Sequence, residues 1–72
     1  MDVKRRFGSA VRARRTVLGI SQEELALRID ADQAYVSRIE AGAMNVTLET
    51  AQQVAEALET DVAALFPAVS RS

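Results

Sequence analysis

Seventy-two residues, 49% of them hydrophobic, can close one small core and leave no material for a second domain. The absence of both cysteine and histidine removes disulfide staples, thiolate and imidazole metal ligands and the commonest general base. No metal, cofactor or catalytic activity is therefore expected, and stability must come from packing. No apolar run approaches the roughly 20 residues that span a bilayer. The start of the chain, where Lys4, Arg5 and Arg6 precede polar residues, lacks the apolar region of a signal peptide. The expectation is a cytoplasmic protein with no membrane partner.

A formal net charge of -1 argues at first against a nucleic-acid partner. The distribution argues the other way. Residues 1–28 hold seven basic side chains (Lys4, Arg5, Arg6, Arg12, Arg14, Arg15, Arg28) against three acidic ones, whereas residues 39–72 hold Arg71 against five acidic ones. A local positive face attracts phosphates whatever the sum of charges. An ordinary solvated helix with outward arginines would have the same composition, so charge alone leaves both readings open.

In chain order, Phe7, Val11 and Leu18 recur at helical spacing and Gly19 stands where a helix ends in a left-handed residue, predicting a first helix over 3–18. Ser21-Gln22-Glu23-Glu24 fits a capping box. It opens a short second helix with the apolar stripe Leu25, Ala26 and Ile29, stopped near Asp30 by the turn residues Asp30-Ala31-Asp32. Asp32 caps a third helix in which Val36 and Ile39 point inward. Gln33, Ala34, Tyr35, Ser37 and Arg38 cover its outer arc, and Gly42 ends it. After a loop at Ala43-Met44-Asn45-Val46, Thr47 caps a fourth helix whose buried face is expected to be Leu48, Ala51, Val54, Ala55 and Leu58. Thr60-Asp61 caps a last turn or two through Val62, Leu65 and Phe66, which halts at Pro67. The fold class is thus all-α, a compact five-helix bundle over 1–66 with a short flexible tail at 67–72.

Two helices joined by a three-residue turn cross steeply only if a small side chain lies where their backbones meet, and Ala26 occupies that place. With Leu25, Ile29, Val36 and Ile39 it matches the helix-turn-helix template from Gln22 to about Ala41, in which the second helix of the pair is held out to enter a groove. A helical hairpin inside any small bundle would bury similar residues, so spacing alone does not decide for DNA.

The surrounding residues carry a resemblance over nearly the whole chain. Val11-Arg12-Ala13-Arg14-Arg15, Gly19 through Ala26, Val36 through Gly42 and Asn45-Val46-Thr47-Leu48 resemble the phage-repressor (Xre-like) helix-turn-helix family, whose fold is the lambda-repressor-like DNA-binding bundle. Within it, Asp32 through Ser37 followed by Gly42 through Leu48 is most similar to the controller proteins of restriction-modification systems, single-domain dimers of about this length.

The resemblance implies roles residue by residue. Gln22 corresponds to a phosphate-clamping glutamine at a helix start. Gln33, Ala34, Ser37 and Arg38 match base-reading positions, where arginine can bond bidentately to guanine and glutamine to adenine. Tyr35 would donate its hydroxyl to the sugar-phosphate backbone, or else shield the core. Asn45 and Thr47 stand where relatives touch phosphates, although Thr47 already has a sufficient task as an N-cap. Arg15 and Glu40 match an ion pair that orients the recognition helix. Two departures limit the transfer. Asp30 replaces the usual turn glycine at some conformational cost, and Gln33-Ala34 replaces the Arg-Thr or Arg-Ser pair frequent in controllers, so their operator is not carried over.

One recognition helix covers about 4 to 6 base pairs, so selective binding needs two copies on a palindrome with half-sites about 34 Å apart. Val62, Leu65 and Phe66, with parts of the fourth helix, are the expected dimer surface, unless all three complete the monomer core. The functional expectation is a homodimeric transcriptional repressor or activator that binds double-stranded DNA without a cofactor, with RNA polymerase as a conceivable further partner. The rival is the antitoxin half of a toxin-antitoxin pair or another protein-interaction module built from the same helices. An enzyme would have to rest on scattered carboxylates or Lys4.

Overall fold

The computed structural model describes residues 2–66, so the tail expected at 67–72 lies outside the described residues. Four α-helices follow in order: α1 (Val3–Leu18), α2 (Gln22–Arg28), α3 (Gln33–Glu40) and α4 (Leu48–Ala57). The element expected as a fifth helix is a single 3-10 turn, Val62–Leu65. Four residues followed so closely by Pro67 are too few to set up an α-helical ladder.

Each element opens on a side chain that accepts a hydrogen bond from an otherwise orphaned backbone N–H. Asp2 takes Lys4 N at 3.1 Å, Ser21 takes Glu24 N at 3.0 Å, Asp32 takes Tyr35 N at 2.8 Å, Thr47 takes Thr50 N at 3.0 Å and Asp61 takes Ala64 N at 3.0 Å. The capping box at Ser21 is only half made, because the Glu24 carboxylate accepts instead from Arg28 Nε at 3.1 Å. All four helices also end alike, with a left-handed residue at the helix end and paired 6→1 and 5→2 backbone bonds. Gly19 and Gly42 serve α1 and α3, while Asp30 (φ 58) and Glu59 (φ 60) take that strained conformation after α2 and α4.

The core is formed by Phe7 and Val11 of α1, Leu25 and Ala26 of α2, Val36 and Ile39 of α3, Ala51, Val54 and Ala55 of α4, with Leu58 and Leu65. Two expectations fail here. Leu48, placed on the buried face of α4, is 81% exposed. It belongs to the first turn of α4, and Met44 and Val46 of the preceding loop pack against the core in its stead. Leu65, placed on the dimer surface, is only 1% exposed and completes the monomer core. Phe66 beside it is half-buried and stacks on Phe7 with ring centroids 5.0 Å apart. A chain this small has few large apolar residues to spare, so the last turn is drawn inward to close the bundle.

Gly8 sets how close α1 comes to the end of α3. A Cβ there would lie 2.3 Å from the carbonyl oxygen of Ile39 and 2.7 Å from that of Glu40. The two helices meet backbone to backbone, and this brings Arg15, two turns further along α1, within reach of Glu40.

Candidate nucleic-acid interface

The interface begins with α3, because its two faces differ sharply. Val36 and Ile39 are buried, whereas Gln33, Ala34 and Arg38 are exposed, Ser37 is half-buried, and Asp32 fixes the helix start. Ala26, the small residue expected between α2 and α3, is buried, and its carbonyl accepts Ala31 N at 2.8 Å at the end of α2. The outer arc read from the sequence therefore projects away from the interior, with Tyr35 as its exception. Tyr35 is half-buried and packs against the core, and among the described hydrogen bonds none uses its hydroxyl.

Arg15 and Glu40 form a bidentate pair, with Nε to Oε2 at 2.7 Å and Nη2 to Oε1 at 3.0 Å. The Glu40 side chain is 4% exposed and that of Arg15 15%, so the carboxylate is enclosed although the residue's backbone is partly open. Arg15 also donates to the Ile20 carbonyl at 2.9 Å, tying the end of α1 to the loop before α2. The hydrogen bond to Glu40, helped by the carboxylate's charge and opposed by burial, raises the Arg15 pKa above the ordinary guanidinium value.

The pair continues outward in a way the sequence did not reveal. Gln22 Nε2 donates to Glu40 Oε1 at 3.0 Å, and Gln33 Nε2 donates to Gln22 Oε1. An ionised carboxylate only accepts, so the Gln22 atom facing it must be the amide nitrogen; its oxygen is then left to face Gln33, which must donate. One enclosed charge thus orients two amides in turn. Gln22 keeps one N–H for an anion, and Gln33 keeps one N–H and its carbonyl oxygen, the donor and acceptor set that matches the edge of adenine. No motif in the sequence signals this chain of contacts, because Gln22 and Gln33 are eleven residues apart and meet only through the helix crossing.

Asn45 lies exposed in the loop after α3. Thr47 is bound up in its cap, accepting from Thr50 N and donating its hydroxyl to Thr50 Oγ1 at 3.1 Å. The basic half is less free than its composition implies. Arg14 donates to the carbonyls of Leu58 at 2.9 Å and Glu59 at 3.1 Å, and Arg28 to that of Ala57 at 2.9 Å, so both cap the end of α4. Val62 and Phe66 are half-buried at the surface, with Leu65 beneath them. Among the described residues there is no acidic cluster able to hold a metal ion, and no helix is long and apolar enough to cross a membrane.

A family model described as helix-turn-helix matches residues 11–65. The chain is 34% identical over 71 residues to the control protein C.MunI of Mycoplasma sp, covering 97% of this chain and 96% of that protein. It is 37% identical over 66 residues to the control protein C.SmaI of Serratia marcescens, covering 92% and 79% of the two. Among solved structures, the restriction-modification controller protein C.AhdI from Aeromonas hydrophila superposes with a TM-score of 0.82 at 39% identity, covering 86% of this chain and 90% of that one.

Proposed function

Because the chain belongs to the helix-turn-helix family, among the control proteins of restriction-modification systems, we propose that it regulates transcription by binding a palindromic operator as a homodimer, each copy laying α3 in the major groove. The observation that carries this reading is the exposed arc of α3, in which Gln33 is held in place through Gln22 by the enclosed Arg15–Glu40 pair. Fixing polar side chains before binding lowers the ordering cost and sharpens the choice between bases. Gln33 and Arg38 read base edges, Ala34 and Ser37 border them, and Gln22, Tyr35 and Asn45 hold phosphates, with Thr47 contributing mainly as a cap.

In this reading the protein acts in the cytoplasm, performs no catalysis, and controls its own promoter and that of a restriction enzyme. RNA polymerase is the partner wherever occupancy activates. The domain is the segment 1–66.

Selection from random duplex DNA tests the reading directly, with a two-fold symmetric motif expected. Gln33→Ala or Arg38→Ala should cost about 1 to 3 kcal/mol on that site and relax one base position, whereas Gln22→Ala should weaken all duplexes alike. If base preference survives both Gln33→Ala and Arg38→Ala, α3 is not the reader. Recovery of a protein partner whose binding is insensitive to salt, with no enriched DNA, would favour the interaction-module alternative.

A further inference from the structure

The cationic side chains of the basic half differ in their contacts. Arg14, Arg15 and Arg28 are bound to carbonyls or carboxylates of the protein. Lys4 and Arg5 are exposed, and no described hydrogen bond or ion pair uses their side chains. Asp2, the acidic residue at this end, has its carboxylate turned to the backbone N–H groups of Lys4 and Arg5 as the cap of α1. The helix end is thus already satisfied, while the two cations are not.

Their position is set by Gly42. A Cβ on Gly42 would lie 2.5 Å from Arg5 Cγ, 2.9 Å from its Cα and 3.1 Å from its backbone nitrogen. The first turn of α1 is therefore in contact with the backbone of the turn that ends α3, three residues before the exposed Asn45. Long cationic side chains with no acceptor among the described residues, beside a loop that carries an exposed amide, make a local surface suited to a polyanion.

We propose that Lys4 and Arg5 are DNA-backbone contacts that extend the phosphate surface of the Asn45 loop onto the start of α1. The proposal rests on the operator-binding reading above and adds two cations per protomer to it. They select no base, so they strengthen binding to specific and nonspecific duplex alike.

The test uses the full chain and its selected operator. Wild type and the Lys4→Ala/Arg5→Ala double variant are compared by the salt dependence of affinity and by phosphate-ethylation interference, after thermal melting has verified equal folding. The logarithmic salt slope should fall by about 2 for each protomer bound. Ethylation at one or two phosphates per half-site should weaken the wild type and leave the double variant unaffected. The charge-keeping variant Lys4→Arg/Arg5→Lys should retain most of the slope.

An unchanged slope in the double variant, or identical interference patterns, overturns the assignment while leaving the operator-binding reading intact. A wild type that binds duplex DNA without salt dependence fails that earlier reading instead. If the double variant melts early, Lys4→Gln and Arg5→Gln measured singly replace it, and an interference pattern unchanged in both again refutes the proposal.

Discussion

At the residue scale the Arg15–Glu40 pair decides the most. With the Glu40 carboxylate 4% exposed, loss of Arg15 leaves a charge enclosed with only the Gln22 amide to meet it. Breaking a buried pair on one side costs about 3 to 5 kcal/mol, and the partial exposure of Arg15 puts the expectation at the lower limit. Arg15→Ala should thus lower Tm by more than about 10 °C in a domain of this size, measured by circular dichroism, and an unchanged melt would show the carboxylate to be solvated. The raised Arg15 pKa contributes stability at every pH below the ordinary guanidinium value, and that contribution is lost only as pH climbs through the still higher folded value. Since this window lies far above neutrality, the loss in Arg15→Ala should be the same at pH 6 and pH 8.

At the scale of elements, the ends of the helices were legible from Ser21, Asp32, Thr47, Asp61, Gly19 and Gly42, because caps act through local bonds that a sequence displays directly. The contacts between elements were less legible. Leu48 has the right spacing for a buried face, yet spacing cannot tell where a helix overruns its core, and Leu65 was assigned to the surface because closure by the last turn depends on Phe7 and Phe66 meeting. Asp30 was expected to strain its turn and does; Glu59 does so as well, without a glycine-like signal. A left-handed L-residue costs about 1 to 2 kcal/mol, partly offset by the greater freedom of glycine in the unfolded chain. Asp30→Gly should stabilise by about 0.5 to 1 kcal/mol in urea denaturation, and Glu59→Gly by less, because it also removes the exposed ion pair of Glu59 Oε2 with Arg28 Nη1 at 3.8 Å; destabilisation by Asp30→Gly would mean that its side chain makes a stabilising contact. Gly8→Ala should have the opposite sign. The new Cβ would meet the Ile39 and Glu40 carbonyls, which are backbone and cannot swing aside. The resulting separation of α1 from α3 should cost about 2 kcal/mol despite the better helix propensity of alanine, and a neutral effect would show that the two helices part freely.

At the scale of the whole molecule, the acidic residues fall mainly in two groups. Glu49, Glu56, Glu59 and Asp61 lie on α4 and the stretch just after it, whereas Glu23, Glu24, Asp30 and Asp32 lie on α2 and the turn before α3. Two copies that pair through the 3-10 turn and α4 would place their recognition arcs outward, and closed two-fold pairing is the commonest way a small protein covers a residual apolar edge. With Leu65 drawn into the core, Val62 is left as the half-exposed aliphatic side chain of that edge, beside the exposed Ala63 and Ala64. A charge at Val62 would be buried at the centre of such a contact without a partner, at a cost of several kcal/mol. Val62→Asp should therefore sediment as a monomer at tens of micromolar where the wild type is dimeric, and its operator occupancy should rise without the steep concentration dependence that obligatory pairing confers. Because Val62 is not enclosed within one chain, the folded monomer should survive, and its circular dichroism spectrum should match the wild type's. A Val62→Asp variant that still sediments as a dimer would move the contact to another face of the molecule, and with it the spacing of half-sites that the operator must present.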